Sequence, residues 1–356
     1  MAGKGSGFRR PLDRFVVPPS KVAAASYKPG ETGGPGSVCL STNEAPWPPS
    51  PEVLEAIART ARDGHLYPDP MGEPLRGAVA QHHGLPATSI FVSSGADGVL
   101  DGCFRAFVRP GDKVRVFNPT YPVLNLLCAV YSANPLNSTW PAEARADEAA
   151  ITFVVNPNSP TGSWIPDDEL MSFVTNQKGI VVVDEAYAPF ADGSVAGWVA
   201  EAPNLIVVRT FSKAYSLAGM RVGYAVCSAA LATELRVAHV PYPTSSCAVA
   251  AALAALADQD RHRQMIALIV AERSRVSRRL TALNWDVMPS HANFVYARPP
   301  GGRAEAAGRR LANAAILVRY FPGLDQERLR VTVSDSTAND AFLAAAALCA
   351  DLEVPA

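Results

Sequence analysis

The residues best suited to do chemistry lie between 205 and 224, in the string Leu-Ile-Val-Val-Arg-Thr-Phe-Ser-Lys-Ala-Tyr-Ser-Leu-Ala-Gly-Met-Arg-Val-Gly-Tyr. A β-rich apolar run over 205–208 leads into a loop of small residues that carries Thr210, Ser212 and Lys213. Arg221 follows eight residues after the lysine, with Gly219 and Gly223 around it. Hydroxyl, amine and guanidinium are thereby brought near one spot. An amine held beside an anion-binding group suits Schiff-base chemistry with a carbonyl compound. The bland alternative is an exposed lysine after a buried strand, and Ser-Lys alone does not exclude it. The strings upstream do the deciding.

Those strings follow a regular plan. Apolar, β-branched runs at 90–92, 114–117, 151–155, 180–183 and 205–208 alternate with helix-length segments. Such alternation predicts an α/β fold whose parallel sheet is covered on both faces. Each run ends in a polar or small-residue turn: Ser93-Ser94-Gly95-Ala96-Asp97, Asn118-Pro119-Thr120-Tyr121-Pro122, Asn156-Pro157-Asn158-Ser159-Pro160-Thr161-Gly162, and Asp184-Glu185-Ala186-Tyr187. Sheets of this kind bind ligands beyond the C-terminal ends of their strands. The turn at 93–97 opens a helix with apolar residues Val99, Leu100, Phe104 and Phe107. Free N–H groups and a positive dipole end there suit a phosphate. Earlier, Ser50 and Pro51 read as the cap and first position of a helix with Val53, Leu54, Ile57 and Ala61 on one face, stopped by Gly64. Residues 246–283 hold no Pro or Gly and read as helices, one of them long, leaving the large domain. Strands at 293–296, 316–319 and 329–333 and a helix through about 338–351 predict a small C-terminal α/β domain.

Taken together the strings resemble the pyridoxal 5'-phosphate (PLP) lysine motif of the class I/II aminotransferases, and most closely the histidinol-phosphate aminotransferase family. The resemblance runs from about residue 26 to the C-terminus. It includes Leu40-Ser41-Thr42-Asn43-Glu44-Ala45-Pro46, Tyr67-Pro68-Asp69-Pro70, and Tyr27 before Pro29-Gly30. It implies PLP-dependent transferase fold type I, a homodimer with a shared active site, and a small-molecule amino donor exchanged with a 2-oxo acid, 2-oxoglutarate. Within that likeness Lys213 binds the cofactor aldehyde and later moves a proton, while Asp184 keeps the ring nitrogen protonated. Tyr187 meets the phenolic oxygen and Tyr121 lies on the ring face. The Gly95 turn with the Ala96 and Asp97 N–H groups, Thr210, Ser212, Arg221 and, from the partner chain, Tyr67 hold the phosphate. Tyr27, Asn43, Arg319 and Arg330 fall to the substrate. One position departs from the family's Pro-Asn-Asn-Pro-x-Gly string: Ser159 stands for the second Asn. A shorter side chain there predicts a contact with the phenolic oxygen that is lost or carried by water.

Composition sets the frame. The chain has 356 residues, 48% of them apolar, enough for a large and a smaller domain. The boundaries read as an N-terminal arm over 1–26, a PLP-binding domain over 27–245 whose first residues pack with the small domain, and a small domain over 246–356. A net charge of −1 gives no global pull toward nucleic acid or anionic membrane. The cysteines form no Cys-x-x-Cys pair and no histidine pair has zinc spacing, so no metal is expected. With no signal peptide and no membrane-length apolar run, the expectation is a cytoplasmic protein. The leading reading is histidinol-phosphate:2-oxoglutarate amino transfer. A second keeps PLP but changes substrate or outcome: an aromatic aminotransferase, a phosphothreonine-type decarboxylase or an enzyme of specialised metabolism. A PLP-binding regulator without turnover would need a fused DNA-binding domain, and the segment before residue 27 is too short and too rich in Gly and Pro for one.

Overall fold

The computed structural model describes residues 25, 29–140, 149–322 and 325–351. Tyr27 and, residue 25 apart, the arm read over 1–26 lie outside the described residues.

The described chain begins with β1 (Val38–Leu40), which joins a small sheet, and α1 (Pro51–Thr60). After α2 (Glu73–His83) come β2 (Ile90–Ser93), α3 (Gly95–Phe107), β3 (Lys113–Phe117), α4 (Val123–Val130), β4 (Asn134–Ser138), β5 (Ile151–Val155), α5 (Asp167–Thr175), β6 (Ile180–Asp184), β7 (Leu205–Thr210) and β8 (Gly223–Cys227). These strands form a seven-stranded sheet in the order β2-β8-β7-β6-β5-β3-β4. The β-branched runs are buried on both faces, as a sheet with two helical layers demands. Val181, Val183, Leu205 and Val207 enter one apolar cluster, whereas Val182, Ile206 and Val208 enter another on the opposite face. This is the two-residue period of a strand sandwiched between helices.

The sheet is parallel except at β8, which runs antiparallel to both β2 and β7. A parallel return needs a crossover of a dozen or more residues, usually a helix. Between β7 and β8 residues 211–222 hold the lysine loop and a short 3-10 turn, Ala218–Met220, but no crossover helix, and the chain comes back antiparallel. The loop that carries Lys213 and Arg221 is thus pinned at both ends by strands in the middle of the sheet.

After α6 (Ala229–Ala238), α7 (Ser246–Ala257) and the 24-residue α8 (Gln259–Ala282) come β9 (Asp286–Met288), β10 (Phe294–Arg298), α9 (Ala304–Asn313), β11 (Ile316–Phe321), β12 (Asp325–Thr332) and α10 (Ser336–Ala347). The small sheet runs β1-β11-β12-β10-β9, with β1 parallel to β11 and the remaining pairs antiparallel. Residues 38–40 therefore belong to the same sheet as strands almost three hundred residues later.

Two expectations for helices are corrected. In α1, Ser50 Oγ does accept from Val53 N (3.4 Å), but the inward face is Val53, Ala56 and Ile57. Leu54 is 52% exposed, while the helical stretch ends, through a 3-10 turn over 61–63, at Gly64 as expected, though with right-handed φ −62°. The second correction is α7, which does not leave the large domain. Its Ala248, Ala251, Ala252 and Ala255 pack with Val53, Leu75 and Val79 of α1 and α2. Alanines at helical spacing let backbones approach closely, and an Ala-rich composition does not say which neighbour they approach. The passage to the small domain is made by α8, whose Ile269, Val276 and Leu280 lie in the small domain's cluster.

Candidate active site

The four polar turns expected to carry chemistry converge on one cleft of about 330 Å³ at the C-terminal end of the large sheet. That volume suits a small ligand. Ala96 and Asp97 come from the start of α3, Tyr121 from the turn after β3, and Ser159 from the loop after β5. Asp184 and Tyr187 follow β6, Thr210, Ser212 and Lys213 end β7, and Arg221 precedes β8. Asn43 enters from the segment after β1 and Arg330 from β12, so the small sheet closes the cleft.

Lys213 Nζ donates to the Thr42 carbonyl at 3.1 Å and lies 5.8 Å from the centroid of the Tyr187 ring. Asp184 is 5% exposed at the end of β6, and its Oδ1 accepts from Ala186 N (3.0 Å). Burial pushes this carboxyl up to about 7, with Asp97 and Glu185 adding to the rise and the Ala186 N–H and Lys213 opposing it. Glu185 faces the other way, where Arg209 Nε (2.8 Å), Ser194 Oγ (2.8 Å) and Val195 N (2.7 Å) satisfy it. Of two adjacent acids, then, one is neutralised by protein and the other is left for the cleft.

The anion seat is equally specific. Gly95 has φ +75°, and a Cβ on it would lie 2.8 Å from Arg221 Nη2. Arg221 itself adopts φ +52°, an unusual backbone state of the kind that persists where surrounding structure enforces it. Its Nη1 approaches Ser212 Oγ (3.4 Å), and Thr210 Oγ1 donates to the same Ser212 Oγ (2.9 Å). Asp97 contributes a side chain as well as its N–H: Oδ1 accepts from Tyr121 Oη (2.9 Å) and Oδ2 from Arg221 Nη2 (2.9 Å). The sequence reading missed this tie between the tyrosine and the arginine.

On the small-domain side, Arg330 is 8% exposed, and it donates to Ser159 Oγ (3.0 Å) and to the Ser41 carbonyl (2.8 Å). Ser159 thus has its hydroxyl engaged by Arg330. Arg319 and Arg330 are register partners on β11 and β12, and their guanidinium carbons stand 5.0 and 5.2 Å from the same Phe321 ring. Arg319 is not among the cleft-lining residues, and its Nη1 donates to the Pro29 carbonyl. Tyr67 is also absent from the cleft. It is 83% exposed and stacks on Tyr242 at 4.8 Å.

A family model for the class I and II aminotransferases matches residues 36–348. The chain belongs to the class I and II aminotransferases. It is 42% identical over 339 residues to histidinol-phosphate aminotransferase 1 of Bordetella parapertussis, covering 90% of this chain and 94% of the relative. It is 37% identical over 337 residues to histidinol-phosphate aminotransferase 1 of a Nostoc species, covering 91% and 95%. Among solved structures, histidinol-phosphate aminotransferase from Sinorhizobium meliloti in complex with PLP superimposes with a TM-score of 0.81 at 29% identity, over 98% of this chain and 99% of that one. The fold is that of the PLP-dependent transferases of fold type I.

The cofactor of this aminotransferase is PLP, and the residues present fit it. A buried carboxyl whose charge is unfavourable until a cation is set against it suits a protonated pyridine nitrogen. The glycine-backed seat of Ala96, Asp97, Ser212 and Arg221 suits the phosphate, and among the described residues Lys213 is the only lysine lining the cleft.

Proposed function

We propose that this aminotransferase transfers the amino group of histidinol phosphate to 2-oxoglutarate, with Arg330 and Arg319 receiving the substrate's anionic end. The observation that supports the substrate class most directly is the pair of register-matched guanidiniums on one aromatic ring, Arg330 lining the cleft and Arg319 beside it on the next strand. Two forks supply more donors than one carboxylate uses, whereas a phosphate monoester has three terminal oxygens to accept them. Relatives that carry the name histidinol-phosphate aminotransferase over nine-tenths of the chain point the same way.

When bound, PLP supplies an aldehyde and an electron-withdrawing ring. The protein does the rest. Lys213 would hold the cofactor through its aldehyde, and its amine, when free, would take the proton from the substrate Cα. The Thr42 carbonyl offers that amine an acceptor. Asp184 would favour the proton on the ring nitrogen, and Tyr187 lines the same cleft.

Arg319→Ala is expected to raise KM for histidinol phosphate far more than for a carboxylate substrate, for which Arg330 alone suffices. Each lost charged hydrogen bond costs about 1.5–3 kcal/mol, roughly ten- to a hundredfold. The decisive assay mixes the PLP form with candidate donors and follows its conversion to the pyridoxamine form. A donor such as phenylalanine reacting far faster than histidinol phosphate would overturn the phosphate assignment in favour of an aromatic substrate.

The active site is shared between two chains in this reading. Tyr67 lies outside its own cleft and stacks on Tyr242, and Leu66 and Tyr242 are 61% and 41% exposed. Mixing Lys213→Ala with Tyr67→Phe protomers is expected to give more activity than the mean of the two parents, because each hybrid regains one intact site. A fully active monomer by light scattering sinks the idea. A cytoplasmic location agrees with six free cysteines and with the lack, among the described residues, of any helix long and apolar enough to cross a membrane.

A further inference from the structure

The segment 41–43 is tied at each of its carbonyls to a different part of the molecule. Ser41 O accepts from Arg330, Thr42 O from Lys213 Nζ and Asn43 O from Asn293 Nδ2 (3.1 Å). Asn43 sits at the end of this run, 1% exposed, with φ +56°. Its side chain, expected to meet substrate, is committed on both sides. Nδ2 donates to Tyr187 Oη at 2.9 Å, and Oδ1 accepts from Thr332 Oγ1 at 3.1 Å. Thr332 Oγ1 in turn accepts from the Asn43 backbone N–H at 3.0 Å.

These bonds have a direction. An amide nitrogen only donates, so Tyr187 Oη accepts from Asn43, and the phenol's own proton is free for another acceptor. The Thr332 hydroxyl spends a lone pair on the Asn43 N–H and its proton on Oδ1, which favours this orientation of the amide. With the amide reversed, Tyr187 would have to give its proton to Asn43. We propose that Asn43, held by Thr332, is a positioning residue that aims the Tyr187 hydroxyl proton into the cleft. The acceptor there is the phenolic oxygen of the bound cofactor. Ser159 Oγ likewise accepts, from Arg330, but of these two hydroxyls only that of Tyr187 is oriented by a buried amide. The proposal rests on PLP occupying the cleft and is independent of which amino donor is used.

The test reads the cofactor rather than turnover. The bound cofactor's visible absorbance titrates as a proton is lost and a full negative charge develops on the phenolic oxygen. A hydroxyl donating to that oxygen favours the deprotonated form and lowers the midpoint. Tyr187→Phe is therefore expected to raise it by about one pH unit, the worth of one hydrogen bond to a charged oxygen. Asn43→Gly keeps a residue at ease with positive φ and retains the backbone bonds to Asn293 and Thr332. It is expected to raise the midpoint by roughly half a unit, because an unaimed hydroxyl donates part of the time and without the polarising amide. Thr332→Val, which frees the amide to turn, is expected to shift it the same way. Glu44, Asp97, Asp184, Lys213, Arg221 and Arg330, the charged groups lining the cleft, stay in place in every variant.

In the Tyr187→Phe background, Asn43→Gly is expected to add nothing, since its only route is through the missing hydroxyl. An Asn43→Gly protein that holds PLP and titrates with the wild-type midpoint overturns the proposal. So does an equal shift in both backgrounds, which would mean that Asn43 acts by itself. Failure of the underlying reading looks different: the wild-type protein would show no titrating visible band and no lysine marked by borohydride.

Discussion

Lys213→Ala is expected to cost about 10⁴-fold or more in kcat, because a single change removes both the attachment of the cofactor and the base that works at Cα. General acid–base catalysis alone is worth roughly 10²–10⁴-fold. Borohydride reduction of the wild-type enzyme followed by peptide mapping is expected to place the pyridoxyl group on Lys213 and nowhere else. The geometry leaves few rivals. Among the described lysines Lys213 alone lines the cleft, whereas Lys113 stands exposed at the opposite, N-terminal end of its strand. The variant still has the glycine-backed phosphate seat, so it is expected to bind PLP without forming the covalent bond. Label on a different lysine, or near-normal turnover by Lys213→Ala, ends the assignment.

How much of this was legible in the sequence follows from what each residue depends on. The buried strands were legible because a run such as Ile-Val-Val-Val has only one comfortable place in an α/β fold. The turns after them were legible because a chemically specific residue at the end of such a strand has few other reasons to be there. Asp184, Tyr187 and Lys213 are of this kind. The strand 223–227 was not separated from the motif before it, since Gly-Tyr-Ala-Val-Cys continues directly from the arginine loop and its antiparallel direction goes with a loop that holds no crossover helix. The Asp97 bridge and the commitments of Asn43 are tertiary contacts, and no local pattern encodes them. Thr332 was within reach: strand alternation puts it on the same face as Arg330, two residues on. Arg319 and Tyr67 were named from likeness alone, and each sits outside its own chain's cleft.

Asp184→Asn is expected to lower kcat by on the order of 10²–10³, the scale of removing one preorganised charge interaction from a reacting centre. The amide cannot hold a proton on the ring nitrogen, while the phosphate seat and Lys213 are untouched, so the variant keeps its cofactor. A second readout separates this charge effect from general damage. In the cofactor-free protein the Asp184 carboxyl is buried and held near 7 against an ordinary 3.8. The folded state therefore binds this proton more tightly than the unfolded chain does. Its contribution to stability is complete below about pH 4 and is lost as the pH rises toward 7. Asp184→Asn has nothing to ionise, so that loss is expected to vanish: the variant's Tm should fall less than the wild type's between pH 4 and 7, and at pH 8 the cofactor-free variant should be the more stable of the two. Bound PLP reverses the order, because the protonated ring nitrogen gives the wild-type carboxylate the cation it lacks. Thermal unfolding of both proteins, with and without PLP across this pH range, checks the crossing. Parallel curves for the two cofactor-free proteins, or near-normal turnover by Asp184→Asn, would remove Asp184 from the ring nitrogen.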